Sequence, residues 1–124
     1  MRQGKLTAAY KTLMDLYRTP GLPFSTSQKL FLLKHKLQPY YEAQAEKQRV
    51  ILETSGQTPE KGQYKLTPEI RKAYAEILDT EVDWTDAPVE IRITDAEAKA
   101  LNITGETLDI FDGLINFTEG QANA

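Results

Sequence analysis

Apolar positions recur at three- and four-residue steps through most of the chain, and at two-residue steps in one short part. Leu6, Tyr10, Leu13, Met14 and Tyr17 share one helical face, predicting an N-terminal helix over 5–18 that "TPGLP" ends. Ser25 with Gln28 reads as a capping box and opens a long helix over 26–54. Leu30, Leu33, Leu37 and Tyr41 share its first face, and Val50, Ile51 and Leu52 restore apolar character at its end. Pro39 lies inside this pattern and predicts a kink or break near Gln38. Between Glu42 and Arg49 only alanines are apolar, so that stretch of helix reads as solvated on most sides, or as flanking a thin helix pair.

After the loop "QTPEKGQ", residues 64–66 alternate enough for a strand arm. Thr67-Pro68-Glu69 then supplies a cap, a first-turn proline and an acid for a helix over 68–80. Its stripe is Ile70, Ala73, Tyr74, Ile77 and Leu78, the clearest in the chain. Val82 and Trp84, then Val89, Ile91 and Ile93, alternate with polar residues. With "TDAP" as the turn, they predict a two-stranded antiparallel ribbon over 81–94. Thr94 with Glu97 is a second capping box. Thr104-Gly-Glu opens a last helix over 104–117, with Leu108, Phe111, Leu114 and Ile115 on one face. The small polar stretch 119–124 reads as a flexible tail.

The fold class that follows is α+β, mainly helical. A single domain spans 1–118, with an antiparallel helical hairpin over 26–80, a small antiparallel β-ribbon and a C-terminal helix. Its 124 residues suit one modest core.

Charge adds an asymmetry. Residues 1–57 hold nine Lys/Arg against four Asp/Glu, and residues 58–124 hold six against fourteen. The balances of +5 and −8 sum to the net charge of −3. Either the halves pair within one chain, or they pair between chains, or the basic half meets a polyanion. Contact within the chain has the greatest weight, because folding brings complementary halves together.

Candidate chemistry is sparse. The chain has no cysteine, which excludes disulfides, thiolate catalysis and cysteine metal clusters. Asp79, Glu81, Asp83 and Glu90 fall at the first, third, fifth and twelfth positions of a calcium-loop spacing. The sixth position, which needs a small residue for the turn, is Trp84, and a strand pattern rather than a helix follows. These acids read as the solvent side of the ribbon, with Val82 and Trp84 turned inward. His35 is the only histidine and lies between Lys34 and Lys36. Without a second histidine or a cysteine it supplies neither a zinc site nor the base of a nucleophilic triad. No glycine loop that cradles phosphate appears. The reading therefore has no catalytic residue, no metal, no cofactor and no small-molecule substrate. The longest apolar run, "LFLL", is too short for a bilayer, and the amino terminus lacks a secretory apolar core, so a cytoplasmic location is expected.

Surface candidates remain. Lys29, Lys34, His35 and Lys36, with Phe31, Tyr40 and Tyr41 beside them, form a basic and aromatic segment, and Val50 and Ile51 an apolar end. Together they are the expected interaction surface for protein partners, including a second copy of the chain. Nucleic acid is disfavoured, because arginine is sparse there and the pI is about 5.2.

The order of motifs resembles a family of small uncharacterised proteins of tailed bacteriophages and prophages. The resemblance rests on "F-x-T-x-x-K-L-x-x-L-K-x-K-L" (24–37), "YYEAQAEKQRVILETSG", "GQYKLTPE", "EVDW" and "LNITGETLDIFDGLI", over residues 22–117. It implies a phage origin, in the bacterial cytoplasm or the virion, and an interaction role. The expected function is that of a non-enzymatic virion component or assembly factor. The alternative is a small nucleic-acid-binding or host-directed regulatory protein.

Overall fold

The computed structural model describes residues 1–120. Helix α1 spans Gln3–Tyr17 and α2 spans Phe24–Glu53. The turn between them uses Gly21 in the left-handed region (φ 79°), a conformation that costs glycine little. The two helices run antiparallel and form the most extensive helix interface of the molecule. Leu6, Ala9, Leu13 and Leu16 of α1 meet Leu30, Leu33 and Leu37 of α2 in the core. Tyr10 stacks on Tyr41, with ring centroids 4.6 Å apart.

The α1–α2 seam changes character toward the start of α1. Gln3, Thr7 and Gln44 are all buried there. The Thr7 hydroxyl donates to Gln44 Oε1, and Gln3 Nε2 donates to the Tyr40 carbonyl (3.0 Å) and to Thr7 Oγ1 (3.3 Å). The middle of α2, solvated on most sides as expected, buries one glutamine against α1. Beyond Gln44 the helix continues past the start of α1 as an exposed end. There Arg49 is ion-paired with both Glu46 and Glu53 at helical spacing.

Pro39 neither breaks nor interrupts α2, which is helical at all 30 residues from Phe24 to Glu53. Proline lacks the amide that would reach the His35 carbonyl, so one rung of the ladder is missing. Its ring lies on the exposed side, where water can satisfy that carbonyl. Pro39→Ala is expected to stabilise the protein by about 1 kcal/mol, the regained rung and propensity being offset in part by a more flexible unfolded chain. Thermal melting checks this, and a lower Tm would contradict a continuous helix. The start of α2 also differs from expectation. It begins at Phe24 after Pro23, with no side-chain cap, so Ser25 and Gln28 form no capping box.

Helix α3 spans Pro68–Asp79, and the Thr67 hydroxyl accepts from the Ile70 amide as its cap. It lies against both α1 and α2. Gly4 marks the closest approach to α1: a Cβ there would sit 3.2 Å from the Leu78 carbonyl oxygen. Residues 64–66 form no strand. The loop before α3 instead carries a tight turn in which Glu60 bridges Gln63, with Lys61 and Gly62 at positive φ.

The segment 81–88 is not one arm of a ribbon. Glu81 makes a single antiparallel bridge with Arg2, and Val82 N–H donates to the Met1 carbonyl (2.8 Å). The chain then runs extended back along α2. The Tyr40 hydroxyl donates to the Asp83 carbonyl (3.0 Å), Lys36 pairs with Asp86 (3.4 Å), and Lys29 donates to the Glu90 carbonyl (2.6 Å). Proline at 88 favours extended backbone at Ala87, so "TDAP" carries the chain onward instead of reversing it. Val82 and Trp84 do turn inward: both are half-buried against the core, and Trp84 meets the Tyr40 ring edge-on at 5.5 Å. Native tryptophan emission is therefore expected to be blue-shifted and to move red in denaturant. An exposed-indole spectrum in the native state would contradict this packing.

Strand β1, Val89–Ile93, pairs with β2, Ile115–Glu119, and the pair is parallel, with Val89 opposite Ile115 and Ile91 opposite Phe117. The antiparallel ribbon is thus replaced by a strand–helix–helix–strand unit. Helices α4 (Asp95–Ala100) and α5 (Gly105–Ile110) make the crossover that parallel strands require. Both open with capping boxes, Thr94 with Glu97 and Thr104 with Thr107. The expected helix over 104–117 stops at Ile110 because Gly113 takes a left-handed turn (φ 81°) and "INFTE" continues as a strand. Phe111, Leu114, Ile115 and Ile91 are buried together beneath α1 and α2. Of the expected tail 119–124, Glu119 closes β2, Gly120 N–H donates to the Ile93 carbonyl (2.7 Å), and residues 121–124 lie outside the described part.

Candidate interaction surface

The structure separates the eight surface candidates into four places. Tyr40 and Tyr41 are spent inside the fold, Tyr40 on Asp83 and Trp84, Tyr41 on Tyr10. Lys29 and Lys36 clamp the extended segment against α2. Lys34 and His35 stay on the outer side. The Lys34 ammonium lies 5.1 Å from the Tyr17 ring centroid, and the His35 ring meets Phe31 edge-on at 4.4 Å. Val50, 44% exposed, and the half-buried Ile51 lie at the far end of α2. Ile51 lines an open cleft of about 420 Å³ with Thr67, Glu69 and Ile70.

Sequence reasoning passed over Phe24 and Leu32 and set Phe31 only beside the basic segment. Phe24 is 81% exposed, Leu32 53% and Phe31 40%. Phe24, Phe31 and His35 are spaced seven and four residues apart, so they form one line along the helix. Leu32 lies beside that line, and all four are on the side of α2 opposite Leu30, Leu33 and Leu37. The signal was present in "LFLL". Four consecutive residues fan through about 300° of a helix at 3.6 residues per turn, so they cannot all face one core. The first half of α2 is therefore apolar on two sides. Singly exposed apolar residues are ordinary, and Ser27 and Gln28 lie between Phe24 and Phe31; what sets this face apart is several large apolar side chains on one side of a helix with charge on both flanks. Here the border is Lys34 on one flank and Lys29 and Lys36 on the other.

The acids of 79–90 are spread over several partners, with Arg2 shared by Asp79 and Glu81. Asp79 lies 3.7 Å from Arg2, and Glu81 lies 2.9 Å from the Met1 amine. Asp86 holds Lys36, and Glu90 Oε1 accepts from Asn116 (3.0 Å). Among the described residues, no three His, Asp or Glu side chains converge on a point where a metal could sit. The Met1 ammonium holds the Glu81 carboxyl below the usual carboxylate range, and Arg49 does the same to Glu46. Both carboxyls are on the surface, so these are local solvated pairs rather than a tuned site.

The charge asymmetry is partly discharged inside the chain. Arg2, Lys5 and Lys36 of the basic half face Asp79, Glu81, Asp112 and Asp86 of the acidic half at 3.4–3.9 Å. Among the described residues, Lys34, Arg18, Glu106 and Asp109 make no ion pair. No helix among the described residues is long and apolar enough to cross a membrane. Comparison of the chain with protein-family models, with curated proteins and with solved structures finds no match.

Proposed function

We propose that this is a non-enzymatic phage or prophage protein that acts through protein–protein contact, as a virion component or an assembly factor. The observation that carries the contact role is the exposed row Phe24, Phe31, Leu32 and His35 with its lysine border. The phage setting rests on the motif resemblance over residues 22–117 alone. His35, the only histidine, supports a binding role rather than a catalytic one, because its ring packs on Phe31 in that exposed row. A nucleic-acid role is less well supported. Two of the three lysines of the basic segment are engaged by the chain's own backbone or carboxylate, which weakens them as phosphate contacts.

Fractionation of lysed producing cells, with and without nuclease, tests the reading. The protein is expected to travel with particles or their assembly intermediates, and nuclease is expected to leave it there. Release by nuclease would favour the regulatory alternative. Migration as a free chain throughout would contradict the reading.

A further inference from the structure

We infer that the exposed row of α2 takes a second copy of this chain, docked on the acidic face formed by α5 and β2. The inference rests on the contact role proposed above and names the partner.

The row itself disfavours one arrangement. A two-fold contact of row on row would bring Lys34, which makes no ion pair among the described residues, toward Lys34 of the other copy, and like charges across a contact cost affinity. The favoured occupant is instead apolar at its centre and acidic at its rim. Such a face exists on the same molecule. Leu108 of α5 is 49% exposed. It lines an open cleft of about 440 Å³ along β2 with Phe117, Glu90 and Asp112. It also lines a second cleft of about 190 Å³ with Phe117, Ile103 and Glu119. Asp109 is the residue next to Leu108 on α5 and makes no ion pair among the described residues. An exposed phenylalanine and leucine with lysines beside them thus match two clefts with acids beside them.

The contact uses different surfaces on the two copies, so it is head-to-tail. Each copy keeps one free row and one free acidic face, and assembly continues until a ring closes or a filament grows. This form of association suits a chain that is added repeatedly to a larger particle. It also gives the leftover charge of each half a partner that internal pairing does not supply.

The arrangement predicts a complementation that a two-fold contact of row on row does not give. Phe24→Glu/Leu32→Glu abolishes the row, and Leu108→Lys abolishes the acidic face. These side chains are exposed, and melting curves confirm folding; Lys34→Glu and Asp109→Lys are milder versions of the same changes. By analytical ultracentrifugation at low salt, the wild-type mass is expected to rise with concentration beyond a dimer. The rise is expected to weaken at high salt, since charges are screened over about 8–10 Å near physiological ionic strength. Each variant alone is expected to stay monomeric. A mixture of the row variant and the face variant retains one intact contact and is expected to stop at a 1:1 dimer. A wild-type monomer at several hundred micromolar in low salt, or a mixture that does not pair, would overturn the inference. Particle association of the same variants separates the two claims. A monomeric chain that still binds particles through its row loses only the second copy, and a row variant that still binds particles sinks the contact role itself.

Discussion

Phe111→Ala is expected to cost about 3–5 kcal/mol, the range for emptying a fully buried phenylalanine site. Phe111 is wholly inaccessible and is the largest of the fully buried side chains. It sits where α5 turns toward β2, meets Phe117 edge-on at 6.3 Å, and shares its cluster with Leu114, Ile115 and Ile91. The site is bounded by two strands in register and by α1, and each is tied down by other bonds. A domain of ordinary stability has about 5–15 kcal/mol in all, so the variant should be near the limit of folding. Urea titration measures the effect. A lower midpoint with an unchanged slope is the expected result, and a cost below about 1 kcal/mol would mean that the strand–helix–helix–strand unit is not packed as described.

Thr7 and Gln44 should lose stability together rather than separately. Thr7→Val and Gln44→Leu are each expected to cost about 2–3 kcal/mol, since either change leaves a buried polar group without its partner. The double variant removes both groups and should cost little more than one of the singles. The coupling energy in a double-mutant cycle is then expected to exceed about 1 kcal/mol. The pair lies where the α1–α2 seam changes from leucine to glutamine, at 5% and 6% exposure. Simple additivity of the two costs would show that the hydroxyl and the amide do not share a dry site.

Much of the helical frame is legible in the sequence, because its signals are local. The leucine stripes of α1 and α2, the Thr67 cap and the Thr94–Glu97 box all act within one or two turns. Gln44 is the exception within a helix. A glutamine between alanines reads as solvent-facing, and only the arrival of Thr7 from a distant part of the chain makes it a core residue. The sheet was misread for a related reason. Period two correctly marks Val89, Ile91 and Ile93 as a strand with one buried face. It says nothing of the partner, and the partner lies 26 residues along, Val89 opposite Ile115. "LDIFDGLI" carries a helical stripe that tertiary structure overrides at Gly113. The surface was legible only in part. The lysines and tyrosines of 29–41 were found by their charge and rings, but the fold spends most of them on holding the 83–90 segment. Phe24 and Leu32 are as apolar as core residues and become surface because α2 has only one face to bury.

Particle association of the wild-type chain and of Phe24→Glu/Leu32→Glu, compared side by side on a density gradient, tests the proposed role most directly. Melting temperatures within a few degrees of each other would show that both chains are folded. The wild type is expected to sediment with the particles and the variant to remain at the top of the gradient. Equal sedimentation of two equally folded chains would contradict the assignment of the outer face of α2 as the surface through which this protein acts.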